Sequence, residues 1–330
     1  MKYSISNYND DIVFIEVSND DKLSAVFSNF GAGVFRLRYN NSPIILEIED
    51  KEKWLYCPQY YGKTLARVAG RIKCEGEIDG EPYNLMNNVA NFCLHGGDLK
   101  SLSFKPWKYE VKEYKNHIDV IFSIKSKNKE NGFPGDAKIK VIYQLFNNNN
   151  FKILHKGTTS TKTLMNISNH NYYNLFNSKD VSDYVLKINS HKYGEMNDSL
   201  LILDTKDVPW YLNFERATKL NARLKYLEDK TEIKTIDNTF LFNEVIKNKP
   251  QVVLKNKVAK LSLYTDYPCL NIFCDNYHVP IKFSQFSELD SGRRALALEP
   301  QLYDLDHDSL VLRKGEKYNH FILIKIKELH

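Results

Sequence analysis

The chain of 330 residues is short of glycine, with 14 residues, near 4%, against a typical usage of about 7%. No stretch approaches the roughly 18–20 apolar residues needed to span a membrane, so no membrane segment is expected. The polar N-terminus, Met1 to Asp11, has no apolar run after a basic start and does not read as a secretory signal. The five cysteines, Cys57, Cys74, Cys93, Cys269 and Cys274, are odd in number, and no two have Cys-x-x-Cys spacing. That removes support for zinc ribbons, dithiol redox chemistry and a disulfide framework, and fits a reducing, cytoplasmic setting. An excess of one charge is also lacking: 46 Lys+Arg against 41 Asp+Glu leave a net +5, too mixed for a dedicated nucleic-acid binder. The chain has no Gly-x-Gly-x-x-Gly, P-loop, Gly-x-Ser-x-Gly or His-Glu-x-x-His, so dinucleotide, nucleotide-phosphate, serine-hydrolase and zincin chemistries lose their support.

What is present is a chain able to build a core, 42% hydrophobic and 13% aromatic, with a dominant period of two. Residues 117–125 read apolar at Ile118, Val120, Phe122 and Ile124, and residues 138–145 at Ile139, Val141, Tyr143 and Leu145. Similar runs rich in Val, Ile, Tyr and Phe recur near 12–17, 33–39, 107–114, 151–154, 184–188, 258–265, 270–274, 295–298 and 318–326. Asp79-Gly80 between two such runs signals a hairpin, and the four asparagines 147–150 a turn. The one helical candidate is the short segment 220–227. Many strands and almost no helix predict an all-β chain, a large sandwich or barrel without repeat or long linker; length alone suggests about two domains, although an all-β chain can use more than about 200 residues as one.

Five segments carry candidate chemistry. Arg67 and Arg71 stand four apart among small apolar residues; each guanidinium suits either neighbouring hydroxyls or a carboxylate within a loop. In Leu94-His95-Gly96-Gly97 the paired glycines allow close backbone approach beside a histidine, or simply a surface turn. In the segment 169–175, His170, Tyr172 and Asn174 would share one face of a strand, with His170 either a proton-transfer residue or part of a structural network. Asp237, between Ile236 and Asn238, is equally an Asx-turn residue. Glu299 ends an apolar strand just before Pro300; a partly buried carboxylate there has a raised pKa and makes a better base. Taken together, acids, histidines and arginine beside Asn, Tyr and Phe are the groups that grip a neutral polyol.

These segments resemble the aldose 1-epimerases, or galactose mutarotases. The resemblance covers essentially the whole chain, through Ala66 to Ile72, Leu94 to Gly97, Gly132 to Asp136, Asn169 to Leu175, Asp237 and Glu299 to Gln301. It implies one large antiparallel domain over residues 1–330, a galactose mutarotase-like β-supersandwich with few short helices, and interconversion of the anomers of a free aldose without cofactor or metal. By motif, Glu299 would be the general base and His170 the general acid. Arg71, His95 and Asp237 would hold hydroxyls, with Tyr172 on the same face. A small-molecule aldose is the implied partner, with no nucleic acid and no membrane, in a monomer or homodimer.

Three positions depart from the family pattern. Gly70 stands where an Asn is usual, so one hydroxyl-binding amide is missing and a gap is expected. Asn271 stands where a Gln is frequent, one methylene shorter. Lys100-Ser101 replaces a Gly-Phe after the His-Gly-Gly turn. Two other readings remain: a non-catalytic sugar sensor on the same fold, and a glycoside hydrolase using Asp237 and Glu299 as its carboxylate pair. Eight of the 14 glycines fall between Gly62 and Gly135, beside the proposed sugar cleft.

Overall fold

Alternation along the strands sorts the side chains into layers. A computed structural model describes residues 1–89, 91–246, 248–276, 281–286 and 292–329. Its largest sheet has nine antiparallel strands, in the order Lys108–Glu113, His117–Ser126, Ala137–Phe146, Asn150–Thr159, Tyr318–Glu328, Ala259–Thr265, Val252–Lys255, Val185–Ile188 and Thr218–Lys219. One face carries Ile118, Val120, Phe122, Ile139, Val141, Tyr143, Phe151 and Ile153 into the main core. The same core takes in Val13, Ile15 and Val17 from a five-stranded N-terminal sheet. It also takes in Leu270, Ile272, Leu296 and Leu298 from a six-stranded sheet. The molecule is an all-β antiparallel sandwich, with short α-helices at Lys51–Leu55 and Asn221–Lys230 among the described residues. The second of these falls on the expected 220–227 segment.

The six-stranded sheet positions the site. Its order is Tyr172–Tyr173, Leu296–Gln301, Cys269–Cys274, Asp237–Leu241, Lys192–Met196 and Ile202–Asp207. Because successive residues of a strand point to opposite faces, the strand that sends Leu296 and Leu298 into the core must send Ala297, Glu299 and Gln301 to the other side. Register then lines up the neighbours. Glu299 lies opposite Asn271, and Asn271 opposite Thr239, which makes one polar row across three strands. The adjacent row on that face runs Tyr172, Ala297, Phe273 and Asp237.

Two expected strands are shorter than their patterns. The run from Ile72 to Ile78 is two strands, Arg71–Lys73 and Glu75–Ile78, interrupted at Cys74. The segment 168–173 is paired only at Ser168–Asn169 and Tyr172–Tyr173. At the interruption the His170 main-chain N–H donates to Lys63 O (2.9 Å), and the Gly62 N–H donates to His170 O (2.9 Å). The Asp79-Gly80 hairpin forms as expected, joining Glu75–Ile78 to Glu81–Asn84.

Candidate active site

Glu299 and His170 meet at the centre of this polar face. His170 Nε2 lies 3.5 Å from Glu299 Oε1, and both side chains are almost wholly buried. Asn271 Nδ2 donates to the same Glu299 oxygen (3.2 Å), while Thr239 Oγ1 donates to Asn271 Oδ1 (3.2 Å) and fixes the amide. Glu299 Oε2 and His170 Nδ1 have no hydrogen-bond partner among the described residues. Burial penalises charge on both groups in opposite directions. It pushes the Glu299 carboxyl up to about 8, with the Asn271 hydrogen bond pulling it down and the Asp237 charge adding to the rise. It pushes the His170 imidazole down to about 3. Both shifts favour the uncharged forms of the pair over a carboxylate–imidazolium ion pair.

His95 approaches from the His-Gly-Gly turn, its ring 5.1 Å from that of His170 and perpendicular to it. Its Nδ1 accepts the Gly70 main-chain N–H (3.2 Å), and burial, with His170 and Arg71 nearby, holds its pKa well below the usual histidine value. The neutral ring must then carry its proton on Nε2, as a donor. Gly96 is required in this turn: a Cβ there would lie 2.4 Å from Ala66 O, at a φ of +78°. Tyr60 sets its ring edge-on to His95, 5.0 Å between centroids, and anchors its hydroxyl on Gly97 O (2.7 Å).

Arg71 Nη2 donates to Asp237 Oδ2 at 2.5 Å, so the two expected hydroxyl-binding groups arrive as an ion pair. Tyr172 packs against the His170 ring (4.8 Å) and donates its hydroxyl to Gln59 O, so it braces the histidine. The other residues of the notable segments are structural. Arg67 is buried and donates to Ser126 Oγ, Thr163 Oγ1 and the carbonyls of Lys127, Pro134 and Gly135, tying down the 132–135 loop without touching a carboxylate. Asn174 donates to the Ser178 and Arg294 carbonyls.

Gly70 corrects the sequence expectation. It contributes its backbone, and no gap lies where its side chain would be. A Cβ at this position would sit 2.6 Å from Asp304 Oδ2 and 2.9 Å from Gln301 Nε2. Sequence reasoning also missed Tyr60, Thr239 and Asp304 as site residues. Thr239 is recognisable only from strand register. Of the groups with metal-binding chemistry, His95, His170 and Glu299 each offer one ligand atom, all within 4.8 Å of one another, a donor set whose types suit zinc.

An antiparallel sheet that presents a buried carboxyl–histidine pair beside a second histidine and an Arg–Asp ion pair, in an all-β sandwich, places the molecule in the galactose mutarotase-like fold class. Residues 14–325 match the family model described as aldose 1-epimerase, and the chain belongs to that family. It is 29% identical to an aldose 1-epimerase of Haemophilus influenzae over 73% of this chain and 71% of that protein. It is 24% identical to the galactose mutarotase of Rattus norvegicus over 91% and 90% of the two chains. An aldose epimerase homologue from C. elegans superposes with a TM-score of 0.85 at 25% identity, covering 96% of this chain and 99% of that one. A galactose 1-epimerase from Lactobacillus acidophilus gives 0.88 over 100% and 99% of the two chains, and at 21% identity it shows the shared fold.

Proposed function

We propose that this protein is a mutarotase that interconverts the α and β anomers of a free aldose, such as galactose, glucose or a reducing disaccharide. The observation that carries the proposal is the buried Glu299–His170 pair, 3.5 Å apart. Ring opening needs a proton removed from the anomeric hydroxyl and a proton given to the ring oxygen, and both oxygens are bonded to C1. Glu299 takes the hydroxyl proton as general base while His170 protonates the ring oxygen as general acid. The resulting aldehyde rotates about its C1–C2 bond, and closure with the proton roles exchanged delivers the other anomer. The step starts from the tautomer in which the pair's transferable proton has passed from Glu299 to His170 across their 3.5 Å contact, leaving Glu299 ionised to act as base and His170 charged to act as acid.

The surrounding residues bind and polarise. Arg71, held by Asp237, and Asn271, held by Thr239, present fixed donors and acceptors to ring hydroxyls. His95, neutral and protonated on Nε2, donates to oxygen as negative charge builds on it in a site shielded from water. The hydrolase reading is disfavoured because Asp237 is engaged by Arg71 at 2.5 Å, which takes up the oxygen a second carboxylate would need as nucleophile or base. All five cysteines are free, which supports a reducing, cytoplasmic setting; no helix of the described residues is long and apolar enough to cross a membrane. The proposal is tested by polarimetry on freshly dissolved α-galactose, α-glucose and α-maltose. Acceleration over buffer at micromolar protein is expected; sugar binding without acceleration would instead mark a sensor.

A further inference from the structure

Asp304 is a partly buried acid that the proton-transfer scheme does not use, three residues past the end of the strand carrying Glu299. Its Oδ1 accepts from Asn166 Nδ2 (3.2 Å) and Gln301 Nε2 (3.4 Å), and the Arg71 main-chain N–H donates to the same carboxyl. Its Oδ2 takes the space into which a side chain at Gly70 would project, 2.6 Å from where the Cβ would lie. Gly70 is flanked by Arg71 in sequence and by the His95 ring through its own N–H, so this space borders two hydroxyl-binding groups at once. Asp304 also shares with Arg71 the wall of a cavity of about 390 Å³ whose other side is formed by Tyr83, Leu201, Ile202 and His307. It is near enough to Glu299 for its charge to add to the rise in that residue's pKa.

We propose that Asp304 is a specificity-determining residue: it stands in for the side chain that residue 70 lacks and hydrogen-bonds a hydroxyl of the bound aldose beside Arg71. The inference rests on the mutarotase reading of the cleft. Burial pushes the Asp304 carboxyl up to about 8, against the Arg71 and Asn166 hydrogen bonds and the Arg71 charge, which pull it down. A protonated carboxyl offers one donor and one acceptor, the same pair of functions as a side-chain amide. Gln301 presents its buried Oε1, which has no partner among the described residues, against the same space. The exchange is sterically linked. Asparagine tolerates positive φ better than most residues, so an Asn at the Gly70 φ of +77° is opposed by the Asp304 carboxyl at 2.6 Å and by the flexible end of Gln301 at 2.9 Å, which can swing aside once Asp304 is removed.

The test measures anomerisation and sugar binding for galactose and its 2-, 3-, 4- and 6-deoxy analogues. Asp304→Ala is expected to raise KM for galactose about tenfold with kcat changed less than about twofold, the scale of one lost hydrogen bond. Asp304→Asn should restore most of the loss. For one deoxy sugar, the one lacking the contacted hydroxyl, Asp304→Ala should have no effect. Gly70→Asn should bind galactose more weakly than the wild type, and Gly70→Asn with Asp304→Gly should recover binding. An equal loss across every sugar, or no recovery in the double variant, would overturn the proposal and leave Asp304 a loop-positioning residue. Should Asp304→Ala fail to fold, Asp304→Asn and the Gly70 variants decide by the same criteria. Should the wild type bind these sugars without interconverting them, the mutarotase reading fails, and the binding constants across the deoxy series still decide the role of Asp304.

Discussion

In the strand Ala137–Phe146 of the nine-stranded sheet, Ile139 and Val141 point into the core while Lys138 and Lys140 stand in water. In the strand Leu296–Gln301 of the six-stranded sheet all six residues are buried, including Glu299 and Gln301. The two sheets share one strand geometry and one core. They differ in what covers the second face. On the large sheet that face is solvated, so Lys125 opposite Lys138 and Lys140 opposite Lys156 are tolerated even though like charges face each other. On the small sheet the second face is sheltered by the 60–71 and 94–97 segments, and polar groups there must be paired or forfeit solvation. Other buried acids, Asp275 and Glu47, are neutralised by arginines, whereas Glu299 meets a histidine, which is the contrast the proposed chemistry uses.

The contrast predicts effects of very different size. Glu299→Gln and His170→Asn are each expected to lower kcat by roughly 10²-fold or more, the scale of general acid–base catalysis. Lys140→Gln on the solvated face should leave kcat unchanged; a comparable loss there would break the comparison. Arg71→Lys should follow, with KM raised about tenfold and kcat affected less. A lysine cannot keep the planar fork that holds Asp237 while meeting a hydroxyl, and steady-state kinetics on galactose checks it.

The pH dependence is the next sharpening. The proposed mechanism requires one transferable proton on the Glu299–His170 pair. Above about 8 the pair loses that proton, and near 3 it gains a second. For two coupled groups these limits belong to the pair. The profile of kcat/KM should stay high through neutrality and fall on an alkaline limb near 8. Ordinary carboxylate and histidine values would instead confine activity to mildly acidic pH.

The same shift has a consequence for stability. The folded-state pKa of Glu299 lies above its unfolded value, so its stabilising share is present at acid pH and fades as pH rises toward about 8. Glu299→Gln removes that dependence. Its Tm should exceed the wild-type Tm by a margin that widens from about pH 5 to about pH 8. Thermal scans of Lys140→Gln should match the wild type at each pH, within about 0.5 kcal/mol.

The large sheet was the more legible in sequence, and for the same reason. One-sided burial imprints a period of two, and the runs around Ile118 to Ile124 and Ile139 to Leu145 fall inside observed strands. Strands exposed along much of their length leave no such imprint. Lys2–Asn7, solvent-facing at all six positions, and the edge strand Ile202–Asp207 were invisible for that reason. In the site, the residues in recognisable local motifs were named in advance: His95, His170, Arg71, Asp237 and Glu299. Those defined only by packing across the fold were not. Thr239 reaches Glu299 through the register of two strands, and Asp304 reaches Gly70 because a loop folds back over the hairpin segment. The missing side chain at position 70 could be read from the sequence, but what fills its space could not.

The most direct measurement is the optical rotation of freshly dissolved α-galactose and α-glucose, followed with wild-type protein and with Glu299→Gln. The account predicts equilibration well above the buffer rate with the wild type and a return close to the buffer rate with Glu299→Gln. Wild-type protein that leaves both sugars at the buffer rate, or a Glu299→Gln variant as fast as the wild type, would contradict it.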